Sequence, residues 1–293
     1  MKKKIDIAHG FILAILLIIT AMTLYIFWYC LVGAFSAGDD FTKGNVWLFP
    51  RVFSLSNFTT VLTDSGIYPA FFVTAMRTLV GTAGTMLFTS VVAYGMTKRN
   101  LKFRGVYSTM MIVCMFFSGG LIPQYLLYGQ LGLLNNFLVF VIPSLLNVWN
   151  LIVMQNSYRE IPEALVESAK IDGAGEYRIL FQLVLPLSKP VLAALSLFTA
   201  VGQWNAYYDA LIFTSDYELQ PIQLYLYNMI TRSQMTERLI SQGLVANPDM
   251  VSSVSTPTLR MAMMVIVTAP ILLLYPFLQK YFVKGVIVGS LKS

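Results

Sequence analysis

Charge is what this sequence has least of. Asp, Glu, Lys and Arg supply 12% of its 293 residues, about half the share of an ordinary soluble domain. Hydrophobic residues reach 57%. So little polar surface cannot cover a globule of this size, which excludes a soluble enzyme. So apolar a chain is not disordered either. Histidine is nearly absent: His9 stands alone, and a lone histidine makes no metal site. Cysteine is scarce, and Cys30 and Cys114 lie in apolar runs without a CxxC. They read as small apolar residues facing lipid or helix. No GxxxxGK[ST] string occurs, so the chain has no Walker loop for ATP. Internal repeats and low-complexity tracts are missing too. What remains is an all-α, polytopic membrane protein.

A span needs about 20 mostly apolar residues at about 1.5 Å each. Residues 11–33 carry no charge and give the first span. The second lies in 67–97 and contains one charge, Arg77. The uncharged stretch from Gly105 to Tyr158 suits two spans, 105–127 and 134–156, around the Gly- and Asn-rich turn 129–136. Residues 190–208 give a fifth, weaker span and 261–279 a sixth. Residues 1–33 end near small residues that resemble a cleavage site, but an h-region is about 7–15 residues and this run is longer. The expectation is a retained first helix.

Six spans put both termini on one side. With that side inside, 14 of the 20 basic residues are internal and four are external, with Arg77 and Arg260 in or beside spans. The asymmetry predicts cytoplasmic termini. The net charge of +6 is therefore topology, and no nucleic-acid partner is implied.

The largest internal segment reads EIPEALVESAKIDGAGEYRILFQLVLPLSKP over 160–190. Pro162 suits a first helical position, where its missing N–H costs nothing. Glu160 and Glu163 favour the positive end of the helix dipole and Lys170 the negative end. Gly173 can adopt the left-handed backbone that stops a helix. Ile161, Ala164, Leu165 and Ser168 form one small apolar face at helical spacing, and Glu163 and Glu167 lie on another. A second helix is predicted over 175–184, ending before Pro186. The bland reading is a helix pair lying on the inner leaflet. Yet a charged hairpin this long is large for a linker, and it suits a docking surface.

The same residues resemble the EAA motif of ABC-transporter permeases: Glu-Ala-Ala, a Gly four residues on, nine residues, then Ile-x-Leu-Pro. Here it stands as Glu167-Ser168-Ala169, Gly173, then Leu183-Val184-Leu185-Pro186, with Ser for Ala and Leu for Ile. Asp172-Gly173-Ala174 is similar to the I-D-G-A form of carbohydrate importers. SGGLIPQYLLYGQLGLLNNF, GQWNAYYDALIF and the tail YPFLQKYFVKGVIVGSLKS resemble Gram-positive oligosaccharide permeases of maltose type, nearest those for uronate-containing saccharides.

The resemblance implies a type I ABC importer fold with six transmembrane helices. Residues 1–66 would hold the first helix and first outer loop. Residues 67–285 would form the permease domain with coupling helices at 160–186, and 286–293 a cytoplasmic tail. It implies a multi-pass protein of a bacterial cell membrane that carries a sugar or oligosaccharide by alternating access. No cofactor is expected on this chain; ATP and Mg belong to two separate ATPase subunits. The other implied partners are a second, non-identical permease, an extracytoplasmic solute-binding lipoprotein and membrane lipid. Glu163, Glu167, Ala169, Asp172, Gly173, Leu185 and Pro186 would couple to the ATPase.

Gln203, Trp204 and Asn205, late in the fifth span, are of the types that bond hydroxyls and stack on sugar faces. An interfacial Trp beside helix-to-helix hydrogen bonds is the alternative. Arg77 is the one charge well inside a span, and so a candidate for the same path. It can equally snorkel outward or pair with Asp64, Asp209 or Asp216. Pro270 and Pro276 would kink the last span. Another small polar solute would suit the same permease. An ion-coupled secondary transporter would need paired acids within the spans, and none stands there. A membrane enzyme would need a cluster of His, Cys or carboxylates on one face. A receptor or scaffold that does not transport is left open.

Overall fold

The structure, a computed structural model, describes residues 7–44, 46–242 and 257–273. Among them the architecture is helical, with one isolated bridge between Ser36 and Phe53. The chain divides into two compact units, Met1–Ile67 with Tyr225–Pro270, and Tyr68–Leu224 with Ile271–Ser293.

The first unit opens with α1 (Ile7–Ala34). Residues 11–28 of α1 are exposed all round. A helix that is apolar on every side needs lipid, not water, around it. Short helices α2 (Gly38–Thr42) and α3 (Ser56–Thr63) follow. Asn57 on α3 is fully buried. It gives two hydrogen bonds to the frayed end of α1, at Ala34 O (3.0 Å) and Ser36 O (2.8 Å). Its own oxygen accepts from Thr258 at 3.0 Å. One amide thus ties three segments of this unit where their backbone bonds run out. Asp64 accepts from the Tyr225 hydroxyl at 2.5 Å. Burial and that carboxylate push the Tyr225 phenol upward. The unit's last described helix, α14, is Pro257–Leu273.

The second unit is built on α4, Ile67–Thr97. One stripe of α4 is small and polar, with Thr74, Thr85, Thr89, Ser90 and Ala93 all buried. Small residues let neighbouring helices approach closely in a membrane. Around it come α5 (Arg104–Phe116), α6 (Leu121–Gln130), two 3₁₀ turns at Phe137–Phe140 and Ile142–Ser144, and α7 (Val148–Arg159). Then follow α8 (Glu163–Ile171), α9 (Glu176–Ile179), a π-helical turn (Leu180–Val184) and α10 (Leu185–Leu187). Next are α11 (Lys189–Asn205), α12 (Tyr208–Phe213) and α13 (Ile222–Ser241), which continues into the first unit. Two apolar clusters hold it. One gathers Tyr94, Leu151, Met154, Ile179 and Leu180; the other gathers Tyr128, Phe140, Ala210 and Phe213.

The first two predicted spans are continuous helices, Gly10–Ala34 and Ile67–Thr97. The next two are bent pairs. The third breaks by 117° between α5 and α6. Its joint is Phe117–Gly120, where Gly120 takes φ +88 and ψ 170, a backbone open essentially to glycine alone. The fourth bends by 45° before α7; the fifth is the single helix α11, and the chain turns by 84° from the loop helix into it at α10–α11. The fifth span's helix stops at Asn205, three residues earlier than predicted. The sixth is described to Leu273. Its remainder, Pro276 and the tail 286–293 lie outside the described residues.

Candidate functional site

The predicted loop helix is α8. Pro162 sits one position earlier than expected, as the N-cap with φ −56 and ψ 128. The stop is at Gly173, with φ +79. Gly173 N bonds to Lys170 O at 3.0 Å and Ala174 N to Ala169 O at 2.9 Å. This is the Schellman closure, which satisfies the last carbonyls of the helix. A Cβ on Gly173 would meet nothing within 4 Å. The glycine is therefore required by its backbone angle and not by space.

The faces of α8 are assigned by its contacts. Val166 and Ala169 pack inward on the cluster around Tyr94 and Leu151. Glu163, Glu167 and Lys170 line a cavity within the unit. Ala164, Leu165, Ser168, Ile171 and Asp172 face outward. Leu165 is 44% exposed and Ile171 86%. Of the residues expected to couple, Ala169 thus faces its own chain. Glu163 meets Arg99 at 2.7 Å. Glu167 and Asp172 are exposed. Ile171 was not singled out in the sequence, although it stands seven positions from Ala164, on the same face.

The second helix of the loop does not end before Pro186. It runs to Leu187 through the wide turn at Leu180–Val184. Proline lacks the N–H that would close a regular turn, and its ring clashes with the carbonyl four residues back. A π turn just ahead of Pro186 re-aims those carbonyls and lets the helix pass. Leu185 packs on the inner cluster and Pro186 is exposed. At the start of this helix, Glu176 accepts from Lys98 Nζ (2.6 Å) and Tyr94 Oη (2.6 Å), and meets Lys170 at 3.1 Å. The bonds from Lys98 and Tyr94 hold its carboxyl down at about 2.

A second cavity, of about 600 Å³, lies in the same unit around Arg77. Arg77 is 1% exposed. Nε and Nη2 donate to Gln203 Oε1 at 3.3 and 3.2 Å. Nη1 donates to Ala206 O and Asp209 Oδ1, both at 3.2 Å, and Nη2 to Asp209 Oδ2 at 2.5 Å. Its guanidinium carbon lies 4.4 Å from the Phe140 ring centre. A guanidinium has five N–H donors, and five bonds are made. Arg77 is thus neither snorkelling nor free, and of the three acids weighed for it Asp209 is the partner. Gln203 passes the network on, donating to Ser144 Oγ at 3.0 Å.

Arg77 and Gln203 both line this cavity; Trp204 and Asn205 do not. Trp204 is 9% exposed and packs 6.2 Å from the Phe71 ring. Asn205 bonds to Gln223 and Val201 O. The cavity adds residues the sequence did not flag: Gln124, Tyr128, Asn147, Trp149, Asn150 and Thr199. Each sits in an apolar stretch without any recognisable spacing. Asn150 is held by Thr199 at 3.1 Å and Gln124 by Tyr128 at 2.7 Å. Amides, hydroxyls and an indole around a neutralised ion pair suit a hydroxyl-rich solute.

Apolar helices, bent spans and an outward-facing capped helix define a multi-pass membrane permease. The chain belongs to the family of binding-protein-dependent transport system inner membrane components, which it matches over residues 4–288. It is a transport permease and not an enzyme. It is similar to Protein LplC of Bacillus subtilis (strain 168), 36% identical over 275 residues, spanning 93% of this chain and 90% of that protein. It is also similar to the polygalacturonan/rhamnogalacturonan transport system permease protein YtcP of the same organism, 35% identical over 288 residues, spanning 97% and 96%. Among solved structures, a bacterial ABC transporter involved in import of the acidic polysaccharide alginate superposes with a TM-score of 0.85. The identity is 30%, over 96% of this chain and 99% of that one. Membership in this family sets aside the ion-coupled transporter, the enzyme and the scaffold.

Proposed function

We propose that this chain is one permease subunit of an ATP-driven importer of uronate-containing oligosaccharides in a Gram-positive bacterium. Residues 67–285 act as the permease domain, with both termini in the cytoplasm. The outward strip of α8 seats in a groove of an ATPase subunit, and ATP with Mg is bound there and not on this chain. A second, non-identical permease, two ATPases and an extracytoplasmic binding lipoprotein complete the assembly. The named substrates of YtcP and of the alginate importer support the saccharide class.

The observation that carries the coupling reading is α8 itself. Leu165 and Ile171 are exposed on a helix whose end is fixed by a left-handed glycine. Apolar side chains held out from a rigid helix are what a partner's pocket takes. Glu167 and Asp172 flank that strip, and Leu185 and Pro186 hold the return helix in place. Arg77 and Gln203 brace the cavity through which sugar passes, and its amides and Trp149 meet the sugar face.

The test is co-purification. The tagged chain is expressed with the host's candidate ATPases, as wild type, Ile171→Glu and Gly173→Val. An ATPase retained by wild type and lost from both variants, with the second permease still bound, is the expected result. An ATPase retained equally by all three sinks the assignment of α8.

A further inference from the structure

The cavity beneath α8 has a charge surplus that coupling leaves unused. Lys98, Arg99, Arg104, Arg159 and Lys170 line about 660 Å³ together with two carboxylates, Glu163 and Glu167. Three of the five cations are engaged: Arg99 by Glu163, and Lys98 and Lys170 by Glu176. Arg104 and Arg159 meet no carboxylate among the described residues. Two guanidinium groups without a carboxylate partner, set on one cavity, suit an anion with several acceptor oxygens.

The neighbouring surface says which anion. Arg104 is the first residue of α5, and α5 buries none of its thirteen residues. From Gly105, the next residue in the chain, an apolar groove follows α5 through Val106, Met110 and Val113 to Cys114. At 1.5 Å per residue it is about 14 Å long. A phosphate bearing an acyl chain fits both halves at once. A free phosphate fills only the first.

We propose that Arg104 and Arg159 bind the headgroup phosphate of an anionic phospholipid of the inner leaflet, with one acyl chain along the α5 groove. The proposal uses the orientation with this end cytoplasmic but not the assignment of α8. Basic pockets at the cytoplasmic end of transmembrane helices recognise anionic headgroups by this chemistry.

The experiment is native mass spectrometry of the purified full chain. It is titrated with dioleoylphosphatidylglycerol or dioleoylphosphatidylcholine, as wild type, Arg104→Gln/Arg159→Gln and Arg104→Lys/Arg159→Lys. Each cation near an anionic surface is worth about fivefold, so the glutamine pair should lose about 25-fold in phosphatidylglycerol affinity. Phosphatidylcholine binding should not change, and the lysine pair should keep most of the preference. Equal phosphatidylglycerol affinity in wild type and the glutamine pair overturns the proposal. Displacement of the lipid by millimolar inorganic phosphate or trigalacturonate also overturns it, and reassigns the cations to a soluble anion or to the exit of an acidic sugar. Loss of lipid only when an ATPase subunit is added, with no response to the glutamine pair, makes the cavity a protein contact instead. Co-purification of the ATPase with the glutamine pair is scored separately, so failure here leaves the coupling reading standing.

Discussion

Arg77 and Asp209 stand 132 positions apart and meet at 2.5 Å, the arginine 1% exposed and the aspartate 29%. The pair joins α4 to α12 at the edge of the Arg77 cavity. Asp209→Asn leaves a buried guanidinium without its countercharge. The expected cost is about 3 kcal/mol, the low end of the range because water reaches the aspartate. Arg77→Met together with Asp209→Asn should recover most of the loss. Thermal unfolding midpoints of the three proteins in one detergent decide it. Equal loss in single and double variants would show that the arginine's packing on Phe140, and not its charge, is what matters.

Gly81 on α4 faces Gln203 on α11. A Cβ there would lie 3.0 Å from Gln203 Cδ and Nε2. Gln203 cannot swing aside without leaving Arg77 or Ser144. Gly81→Ala needs a few tenths of an ångström and should retain most uptake. Gly81→Leu should displace the amide, cost about 1–3 kcal/mol and abolish uptake at normal membrane abundance. Radiolabelled oligosaccharide uptake, normalised to chain abundance, is the measurement.

At Gly173 the constraint is conformational. With φ +79 and open space around it, tolerance should follow left-handed preference and not size. Asn should therefore outperform the smaller Ala, and Val should be worst. The spread between Asn and Val should be about 1–2 kcal/mol in stability. ATPase co-purification should rank in the same order. A ranking by volume would mean instead that a partner fills the space.

Glu176 sets an acid limit. Its carboxyl, ordinarily near 4.5, is held at about 2 by Lys98 and Tyr94. A lowered carboxyl contributes stability that is present above its unfolded value and lost as pH falls through the folded one. The window is therefore between about 4.5 and about 2. The unfolding midpoint of wild type should exceed that of Glu176→Gln at pH 6, and the two should converge toward pH 2. The side chain is half exposed, so the gap should be small. A gap that persists at pH 2 assigns the effect to packing.

What the sequence made legible follows from what each signal records. Hydropathy reports how apolar a stretch is and not where it points, so the spans were visible and the bends were not. The Gly120 joint is written as Gly-Gly, which signals a break without its angle. The cap at Gly173 was legible because it is local, closed within six residues. The partner of Arg77 was narrowed to three aspartates and no further, since a contact across 132 positions leaves no spacing in the chain. Glu163 and Glu167 share a face in the sequence, but the ion pair of Glu163 with Arg99 spans 64 positions and leaves no spacing to read. The same blindness hid Ile171 and the cavity amides.

The wide turn at Leu180–Val184 has a consequence for the lengths this chain can tolerate. A π turn is an α-helix carrying one surplus residue. Removing one residue from that stretch, with Pro186 replaced by alanine so that a regular turn can close, would restore regular winding and leave Glu176 and Leu187 facing as they do now. A deletion elsewhere in either flanking helix would instead rotate everything beyond it by about 100°. This short stretch is where the hairpin, once Pro186 is replaced, can lose one residue without losing its register.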